Sequence, residues 1–365
     1  MKKLIGYLKE INRSRNHKTK ELKRRVKLLN IAYRIPDKRN EKISHDKVNR
    51  ILFPFVDLGI GDAICHTGIW HILKNAGYSI QLVAEERNRE LFEKMTDIDE
   101  LFIVDVNNID QLENITTDLV ISHYSWMKRK ELFNIQLLQK INYKYAISFG
   151  GWLTKPWNVS IPVFKGFHVT APQIEILKAL NISVPALEYS LPPIVDNDAF
   201  IEQYLSTYTD KKIIVINPFA SVGERSLSLS ELEKLTDLIS KNEKVHIFIV
   251  GEKKKLEKIK TNNPSVSICI FNSLWDTVSL IKKSDLVISV DTAIVHIACA
   301  ANKKLIAIYY SMHIDHNAFY EGNVIFSPIG ENSHQLLFDR HNNPLNINSV
   351  YAKANEILNI SESNY

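Results

Sequence analysis

Apolar and polar positions along the chain form two successive series that switch between a strand-like and a helix-like period. In the first, short runs rich in Val, Ile and Phe alternate with segments whose apolar residues recur every three or four positions. Strands are predicted at Ile51–Val56, Ser79–Ala84, Leu101–Val106, Leu119–Ser122 and Tyr145–Ser148, with helices over Ile64–Ala76 and Asn88–Met95. This alternation is typical of a parallel sheet with crossover helices.

The second series follows prolines 185, 192 and 193, which interrupt the periodicity. Strands are predicted at Lys212–Asn217, Val245–Val250, Val266–Ile270, Leu286–Val290 and Lys304–Tyr309. Helices are predicted near Ser230–Ser240, Leu256, Trp275–Lys283 and Thr292–Ala301, and a last one from about Ser349 to Leu358. The predicted fold class is α/β, with two doubly wound Rossmann-like domains at 50–200 and 201–345 that face a cleft, followed by a C-terminal helix and tail at 346–365.

Residues 1–49 differ from both series and are predicted to form a basic helical extension with a polar linker after Pro36. Apolar residues recur at helical spacing among Lys and Arg: Leu4, Ile5, Leu8, Ile11, Leu22, Val26 and Leu29. Two interpretations stay open. The helix anchors the protein on an anionic membrane surface, or it docks its apolar residues on the body of the protein.

Charge and composition narrow the class of protein. The first 50 residues hold 17 Lys or Arg and 5 Asp or Glu, a net charge of +12, so the rest of the +5 chain carries 5 − 12 = −7. The basic leader indicates an anionic partner, and the acidic body argues against nucleic acid. The cysteines Cys65, Cys269 and Cys299 lie apart in apolar stretches, which predicts buried thiols in a reducing compartment. No apolar stretch reaches the roughly 18 to 20 residues of a membrane span and no signal peptide is evident, so a cytoplasmic protein is expected.

The segment Ser289–His296 places polar side chains where a predicted strand ends and a helix begins. Ligands bind at that edge of open parallel sheets, and the first-turn amides of a helix attract phosphate. Thr292 can add a hydroxyl, and His296 lies one helical turn further on the same face. The alternative is that Asp291 or Thr292 only caps the helix and that His296 belongs to the core.

The segment Asp57–Asp62 likewise follows a strand and opens a helix. Gly59 and Gly61 allow a tight turn, and Asp62 stands at the helix N-terminus, whose positive end favours the ionised carboxylate. That suits a general base that accepts a proton from an alcohol, although an N-cap aspartate is an equally ordinary explanation. A third segment, Asn217–Arg225, is a strand followed by a polar loop whose arginine could neutralise a departing diphosphate.

In their order along the chain, the three segments resemble the heptosyltransferases of glycosyltransferase family 9, over roughly residues 50 to 360. The strongest match is Val290-Asp-Thr-Ala-Ile-Val-His-Ile-Ala-Cys299. Gly61-Asp62 resembles the family's early Gly-Asp pair, and Asn217-Pro-Phe-Ala220 with Arg225 resembles its donor-phosphate loop. Ala293 and Phe219 stand where the family has glycine, and the usual Trp and Pro after Arg225 are missing.

The resemblance implies the two-Rossmann-domain architecture called GT-B and an inverting, metal-independent transfer of a sugar from a nucleotide-diphosphate donor, with ADP-heptose the first candidate. The acceptor would be a hydroxyl of a lipopolysaccharide-core or other lipid-linked glycan. No cofactor or metal is expected. The implied catalytic base is Asp62. The donor would be bound by Asn217, Ser221, Arg225, Glu252, Asp291, Thr292, Ala293 and His296. The acceptor would be bound by Gly61, His66, Lys128, Arg129 and His168.

Two other classes of function stay open at this point. A non-catalytic relative that binds a nucleotide sugar or scaffolds a polysaccharide assembly would keep the phosphate site without needing Asp62. A sugar-nucleotide epimerase of the same fold would need no acceptor. The sequence does not specify the oligomeric state.

Overall fold

The structure is a computed structural model that describes residues 2–123, 128–163, 166–184, 186–315, 318–320, 322–339 and 343–358. Side chains at residues 2–14, 17, 128, 129, 312–315 and 318–320 lie outside the description. In the described part, two six-stranded sheets of parallel strands each carry helices on both faces.

The first sheet has the strand order β3-β2-β1-β4-β5-β6. Its strands are β1 Arg50–Phe55, β2 Ser79–Ala84, β3 Glu100–Ile103, β4 Thr116–Ser122, β5 Asn142–Phe149 and β6 Val159–Ile161. Its helices are α1 Lys2–Tyr33, α2 Ile60–Ile64, α3 Thr67–Asn75, α4 Arg89–Glu93, α5 Lys128–Lys140 and α6 Thr170–Ala179. The central strands are buried on both faces, which explains their continuous apolar runs.

The helix predicted over Ile64–Ala76 is in fact two helices. Cys65 and His66 separate α2 from α3. Gly68, in the first turn of α3, lies so close to the backbone of Glu188 that a Cβ there would stand 2.1 Å from the Glu188 carbonyl oxygen. Because of this break, α2 belongs to the loop after β1. The helix α3 packs against the segment around Glu188 that leads to the second sheet.

The second sheet has the order β14-β11-β10-β7-β8-β9, and a short antiparallel pair, β12-β13, lies beside it. Its strands are β7 Lys212–Asn217, β8 Val245–Ile249, β9 Val266–Ile268, β10 Leu286–Val290, β11 Leu305–Tyr310 and β14 Ser333–Phe338, and the pair is β12 Met312–Asp315 with β13 Ala318–Tyr320. The helices are α7 Val195–Leu205, α8 Leu229–Ile239, α9 Lys253–Leu256, α10 Leu274–Lys283, α11 Ala293–Ala300, α12 Gly322–Ile325 and α13 Ile347–Leu358.

The change from one sheet to the other occurs before α7. Asp198 and Glu202 of α7 form ion pairs with Lys282 and Lys283 of α10. The domain boundary predicted at 200/201 falls inside α7 and stays a prediction for the division of the chain into domains.

Both sheets have the same topology, with the strand order reversing beside their first strand. The switch points lie between β1 and β4 in the first sheet and between β7 and β10 in the second. Crevices outside the carboxyl ends of such neighbouring strands are the usual ligand sites of open α/β sheets. The loops after β1, β7 and β10 are the three segments that the sequence singled out.

The two domains meet through apolar side chains and several hydrogen bonds. Glu90 of α4 accepts hydrogen bonds from the Ser273 hydroxyl at 2.5 Å and the Leu274 amide at 3.0 Å, and so caps the N-terminus of α10. At the loop after β1, a Cβ on Gly61 would stand 3.4 Å from the Cα of Ala293 in α11. An added Cβ would be at ordinary van der Waals distance, so α2 and the first turn of α11 are close neighbours.

The N-terminal helix packs partly on the first domain. Leu28, Ala32 and Ile35 are buried in a cluster with Phe133 and Leu137 of α5. No helix in the described part of the chain is both long enough and apolar enough to cross a membrane. Cys65 and Cys269 are buried as predicted, whereas Cys299 is partly exposed, so the prediction of a third buried thiol was wrong.

Candidate functional site

The loop after β1 is hydrogen-bonded to a buried lysine. Lys130 of α5 donates to the Val56 carbonyl at 2.8 Å, to the Asp57 carbonyl, and to the Asp57 carboxylate at 2.9 Å. Asp57 adopts a left-handed backbone conformation, with φ of 53°. Burial lowers the pKa of Lys130, and the Asp57 carboxylate opposes that effect. The lysine therefore fixes the turn that carries Gly59, Gly61 and Asp62.

Asp62 is half-buried in the short helix α2. Its Oδ2 accepts a hydrogen bond from the Gly59 amide at 2.9 Å. Gly59 is the N-cap of α2 and Asp62 its third residue, so the alternative of an N-cap aspartate was wrong, although the carboxylate does bond the N-terminus of the helix. An ionised carboxylate has several lone pairs, so accepting this hydrogen bond does not prevent it from accepting a proton. The capping role and the predicted role as a base are thus compatible.

His66 lies beneath this loop. Its Nδ1 is 2.7 Å from the Asp62 carbonyl oxygen and its ring is 4.4 Å from that of His123. Burial lowers the pKa of His66 to about 4, so at neutral pH the ring is neutral and Nδ1–H donates to that carbonyl. In this conformation the ring supports the backbone of Asp62; its predicted contact with an acceptor stays a prediction.

On the opposite side, the turn between β10 and α11 is built on a hydrogen-bonded triad. The side-chain Nδ2 of Asn217, at the end of β7, donates to the Thr292 hydroxyl at 2.7 Å and to the Ser289 hydroxyl at 3.1 Å. The Thr292 Oγ1 also accepts from the Ile294 amide at 3.3 Å, which makes Thr292 the N-cap of α11. Adjacent strands at the switch point are thereby tied together where a phosphate would meet the first turn of the helix.

Arg225 and Asp291 form a largely buried ion pair at the same edge. The guanidinium lies 2.8 Å from the Asp291 carboxylate and donates to the Ser221 hydroxyl at 3.2 Å. The Asp291 carboxylate balances the charge of the Arg225 guanidinium. It also orients the guanidinium, because the planar group pairs with a carboxylate in a fixed geometry. Three of the predicted donor residues are therefore in one contact network.

Glu252 lies further out and is mostly exposed. Its carboxylate is 3.0 Å from Lys255, and Lys255 donates to the Ala220 carbonyl at 2.8 Å. This links α9 to the loop after β7. Sequence reasoning assigned no role to Lys255 or Ser289, and it placed Lys130 with Lys128 and Arg129 in a basic run that could meet the acceptor. The Lys253–Lys255 run and the position of Ser289 two residues before Asp291 were the available signals for Lys255 and Ser289.

His296 and His168 both lie at the contact between the domains. His296 is 3% exposed, its Nδ1 has no hydrogen-bond partner among the described residues, and burial lowers its pKa to about 3. His168 lies 3.0 Å from the Ser327 carbonyl through Nε2 and 2.8 Å from the Thr170 hydroxyl through Nδ1. His168 thus connects the segment before α6 to the segment after α12, and acceptor or donor contacts of the two rings stay predictions.

The structure brings the two halves of the predicted site together. A Cβ on Gly61 of the first domain would stand 3.4 Å from the Cα of Ala293 and from the ring of His296 in the second, so α2, which carries Asp62, lies beside the first turn of α11. The side chains of Lys128 and Arg129, predicted to bind the acceptor, lie outside the described residues, although the backbone of α5 begins at Lys128. The neighbouring Lys130 is buried against the loop and does not form part of a solvated basic face.

Comparison with known families decides the family. The model of glycosyltransferase family 9 (heptosyltransferase) matches residues 137–344, which is more than half of the chain. The chain belongs to glycosyltransferase family 9. The family assignment drawn from the motifs is thereby confirmed.

Individual relatives agree with the family assignment. The chain is 24% identical over 325 residues to an Escherichia coli K12 protein named "Putative lipopolysaccharide heptosyltransferase 4", covering 86% of this chain and 88% of that one. The structure resembles a family 9 glycosyltransferase from Veillonella parvula with a TM-score of 0.70 and 17% identity, over 87% of this chain and 98% of that one. It also resembles E. coli heptosyltransferase WaaC with ADP, with a TM-score of 0.65 and 16% identity, over 84% and 99% of the two chains. The predicted GT-B fold is therefore confirmed.

Proposed function

We propose that this family 9 enzyme transfers a sugar from a nucleotide-diphosphate donor to a hydroxyl of a lipopolysaccharide-core or related lipid-linked glycan, with inversion at the anomeric carbon. The observation that carries the proposal is the close approach of α2 to the first turn of α11, where a Cβ on Gly61 would stand 3.4 Å from the Cα of Ala293. The Asp62 loop and the Asp291–Thr292 turn are therefore neighbours. A base and a phosphate site then face one another across the cleft.

The proposed reaction is a single displacement. The acceptor oxygen attacks the anomeric carbon from the face opposite the diphosphate, and the bond from that carbon to the diphosphate oxygen breaks with its electron pair. The nucleoside diphosphate leaves toward the first turn of α11 and Arg225, where amides and a guanidinium stabilise its charge. Asp62 takes the proton of the attacking hydroxyl.

ADP-heptose is the first donor to test. One solved relative holds ADP and another ADP-2-deoxy-2-fluoro heptose. In this chain, Ala293 adds a methyl group at the first residue of α11 and Phe219 adds a ring to the loop after β7. Both lie where the family has glycine, so a panel of ADP-, GDP- and UDP-sugars should accompany ADP-heptose.

The decisive variant is Asp62→Asn, because asparagine keeps the size and capping ability of aspartate but accepts no proton. We expect kcat to fall at least about a hundredfold with donor affinity changed less than about threefold, since general-base assistance contributes typically 10²- to 10⁴-fold. Asp196→Asn, at an exposed position on α7, is the matched control and should keep wild-type turnover.

Three other outcomes would redirect the assignment. Turnover of Asp62→Asn within tenfold of wild type would make Asp62 a capping residue and move the search for the base to Asp57 or His66. Donor binding without transfer to any glycan would indicate a non-catalytic binding protein. Conversion of the donor sugar without an acceptor would indicate an epimerase.

A further inference from the structure

In the part of α1 whose side chains the structure describes, one face docks on the protein and the opposite face is exposed. Leu28, Ala32 and Ile35 are buried, and Arg24 forms a 2.7 Å ion pair with Glu131, a residue 2% exposed. Arg24, Leu28 and Ala32 recur every four residues and define the docked face, and Ile35 follows two residues after the end of the helix. None of them belongs to the apolar set Leu22, Val26 and Leu29 that the sequence pattern emphasised.

That other set forms an exposed apolar stripe. The stripe consists of Leu22, Val26, Leu29 and Tyr33, whose exposed fractions are 64%, 49%, 50% and 85%. Their steps of four, three and four residues place them in one row along the helix, on the side away from the docked face. Trp152, 43% exposed, lies beside this row with its ring 5.2 Å from the Arg25 guanidinium.

The charge around the stripe has one sign. Residues 15–34 contain eight Lys or Arg and a single acidic residue, Glu21, which is already paired with Arg24 and Arg25. By helical position, Lys18 and Arg25 lie on one side of the stripe and Lys23, Lys27 and Arg34 on the other. An apolar row between two basic rows is the pattern of a helix that lies in a membrane interface.

We propose that the exposed stripe of α1 seats on the surface of an anionic lipid bilayer. The apolar side chains enter the boundary of the acyl chains while the flanking lysines and arginines reach the phosphate layer. A second copy of the chain is a poorer occupant, because pairing two such stripes would bring their basic rows together. A nucleic acid would satisfy the charges but leave the apolar row in water.

The docked face connects this surface to the candidate acceptor site. Glu131, which binds Arg24, directly follows Lys130, which holds the loop of Asp57 and Asp62. Glu131 also accepts hydrogen bonds from the amides of Trp152 and Leu153. Membrane seating would therefore keep the acceptor side of the cleft near the bilayer. This consequence rests on the proposed function, whereas membrane binding itself is tested without any transfer reaction.

The test uses the full chain and surface substitutions, because residues from Leu28 onward are part of the packed domain. The variant Leu22→Ser/Val26→Ser/Leu29→Ser removes apolar area that is mostly exposed, so folding should be kept, as thermal melting will show. We expect wild type to co-sediment with vesicles of phosphatidylglycerol and phosphatidylethanolamine, and the variant to bind at least tenfold more weakly. Val195→Ser/Leu229→Ser, at exposed apolar positions on α7 and α8, should bind like wild type.

A second pair of variants tests the charge. Lys18→Gln/Lys23→Gln/Lys27→Gln should weaken binding to the anionic vesicles at least fivefold, and raised salt should do the same, because exposed charges are screened over about 10 Å at 0.1 M ionic strength. Lys241→Gln/Lys244→Gln/Lys260→Gln removes the same charge from exposed positions of the second domain and should have no effect.

Three results would overturn the proposal. The first is equal vesicle binding by wild type and the triple serine variant. The second is a lipid-free dimer of wild type that the serine substitutions convert to monomer, which would assign the stripe to a second copy. The third is binding of total RNA, sensitive to the lysine substitutions, without binding to vesicles.

Discussion

Single residues at the candidate site serve structure and chemistry together. Asp62 caps Gly59 and is the proposed base, and Thr292 caps α11 while facing the proposed phosphate position. A substitution at either position therefore changes two properties, and the two have to be measured separately. Lys130 differs from both, because its buried ammonium contacts the backbone and the Asp57 side chain of the loop after β1 and so holds the loop in place.

Thr292→Val should weaken the binding of nucleoside diphosphate about tenfold or more. Valine keeps the shape but loses the hydroxyl, and a hydrogen bond to a charged group is worth about 1.5 kcal/mol or somewhat more. Loss of the cap should cost about 1 kcal/mol of unfolding free energy in addition. Calorimetric titration with ADP and denaturant unfolding measure the two effects. Thr292→Ser, which keeps the hydroxyl, should retain affinity, and equal affinity of the valine variant would remove Thr292 from the donor site.

At the scale of elements, the close approach of α3 to the chain at Glu188 depends on one glycine. In Gly68→Ala the added Cβ would stand 2.1 Å from a backbone oxygen and 3.1 Å from a methyl group of Leu187. Backbone has to move to admit it, so we expect a loss of about 2 kcal/mol or more in unfolding free energy, although alanine favours a helix over glycine by about 1 kcal/mol. Urea unfolding measures this loss.

Gly223→Ala provides the comparison, since nothing lies within 4 Å of its added Cβ and its φ is not left-handed. Its unfolding free energy should stay within about 0.5 kcal/mol of wild type. A Gly68→Ala protein as stable as Gly223→Ala would mean that α3 and the Glu188 segment do not approach each other as described.

At the scale of the whole molecule, buried histidines make stability depend on pH. Burial lowers the pKa of His66 to about 4 and of His296 to about 3, and also lowers the pKa values of His123, His168 and His246. Below pH 6.5 the unfolded chain binds protons at these rings that the folded chain excludes, so stability falls as pH falls. The limiting slope is about 1.4 kcal/mol per pH unit for each histidine.

We therefore expect the unfolding free energy to decrease steadily from about pH 6.5 to pH 4.5 and to be nearly flat between pH 7 and 8. His296→Met replaces one ring with an apolar side chain and should reduce the slope below pH 6 without changing the plateau slope. Urea titrations at half-unit steps of pH measure both. Identical slopes for the two proteins would show that His296 is protonated as easily in the folded chain as in the unfolded one.

The sequence by itself determined most of the elements and the order in which they occur. The strands at Ser79–Ala84, Lys212–Asn217 and Leu286–Val290 begin and end as predicted, because their continuous apolar runs are buried inside the sheets. Of the four strands that it missed, β6 and β14 lie at sheet edges and are only partly buried, and β12 and β13 form the short antiparallel pair. The family, the GT-B architecture and the three loops at the carboxyl ends of strands also followed from local pattern and motif.

Only the tertiary structure decided which side chains meet. The pairing of Arg225 with Asp291 spans 66 positions, and Lys130 reaches Asp57 across 73, distances over which no periodicity carries information. For α1 the pattern identified two alternatives, and the structure shows the docked face at Leu28 and Ala32, with Leu22, Val26 and Leu29 left outside. The spacing of apolar residues in the sequence indicates that a helix has an apolar row. Whether that row is covered depends on the shape of the surface that the rest of the chain presents to it.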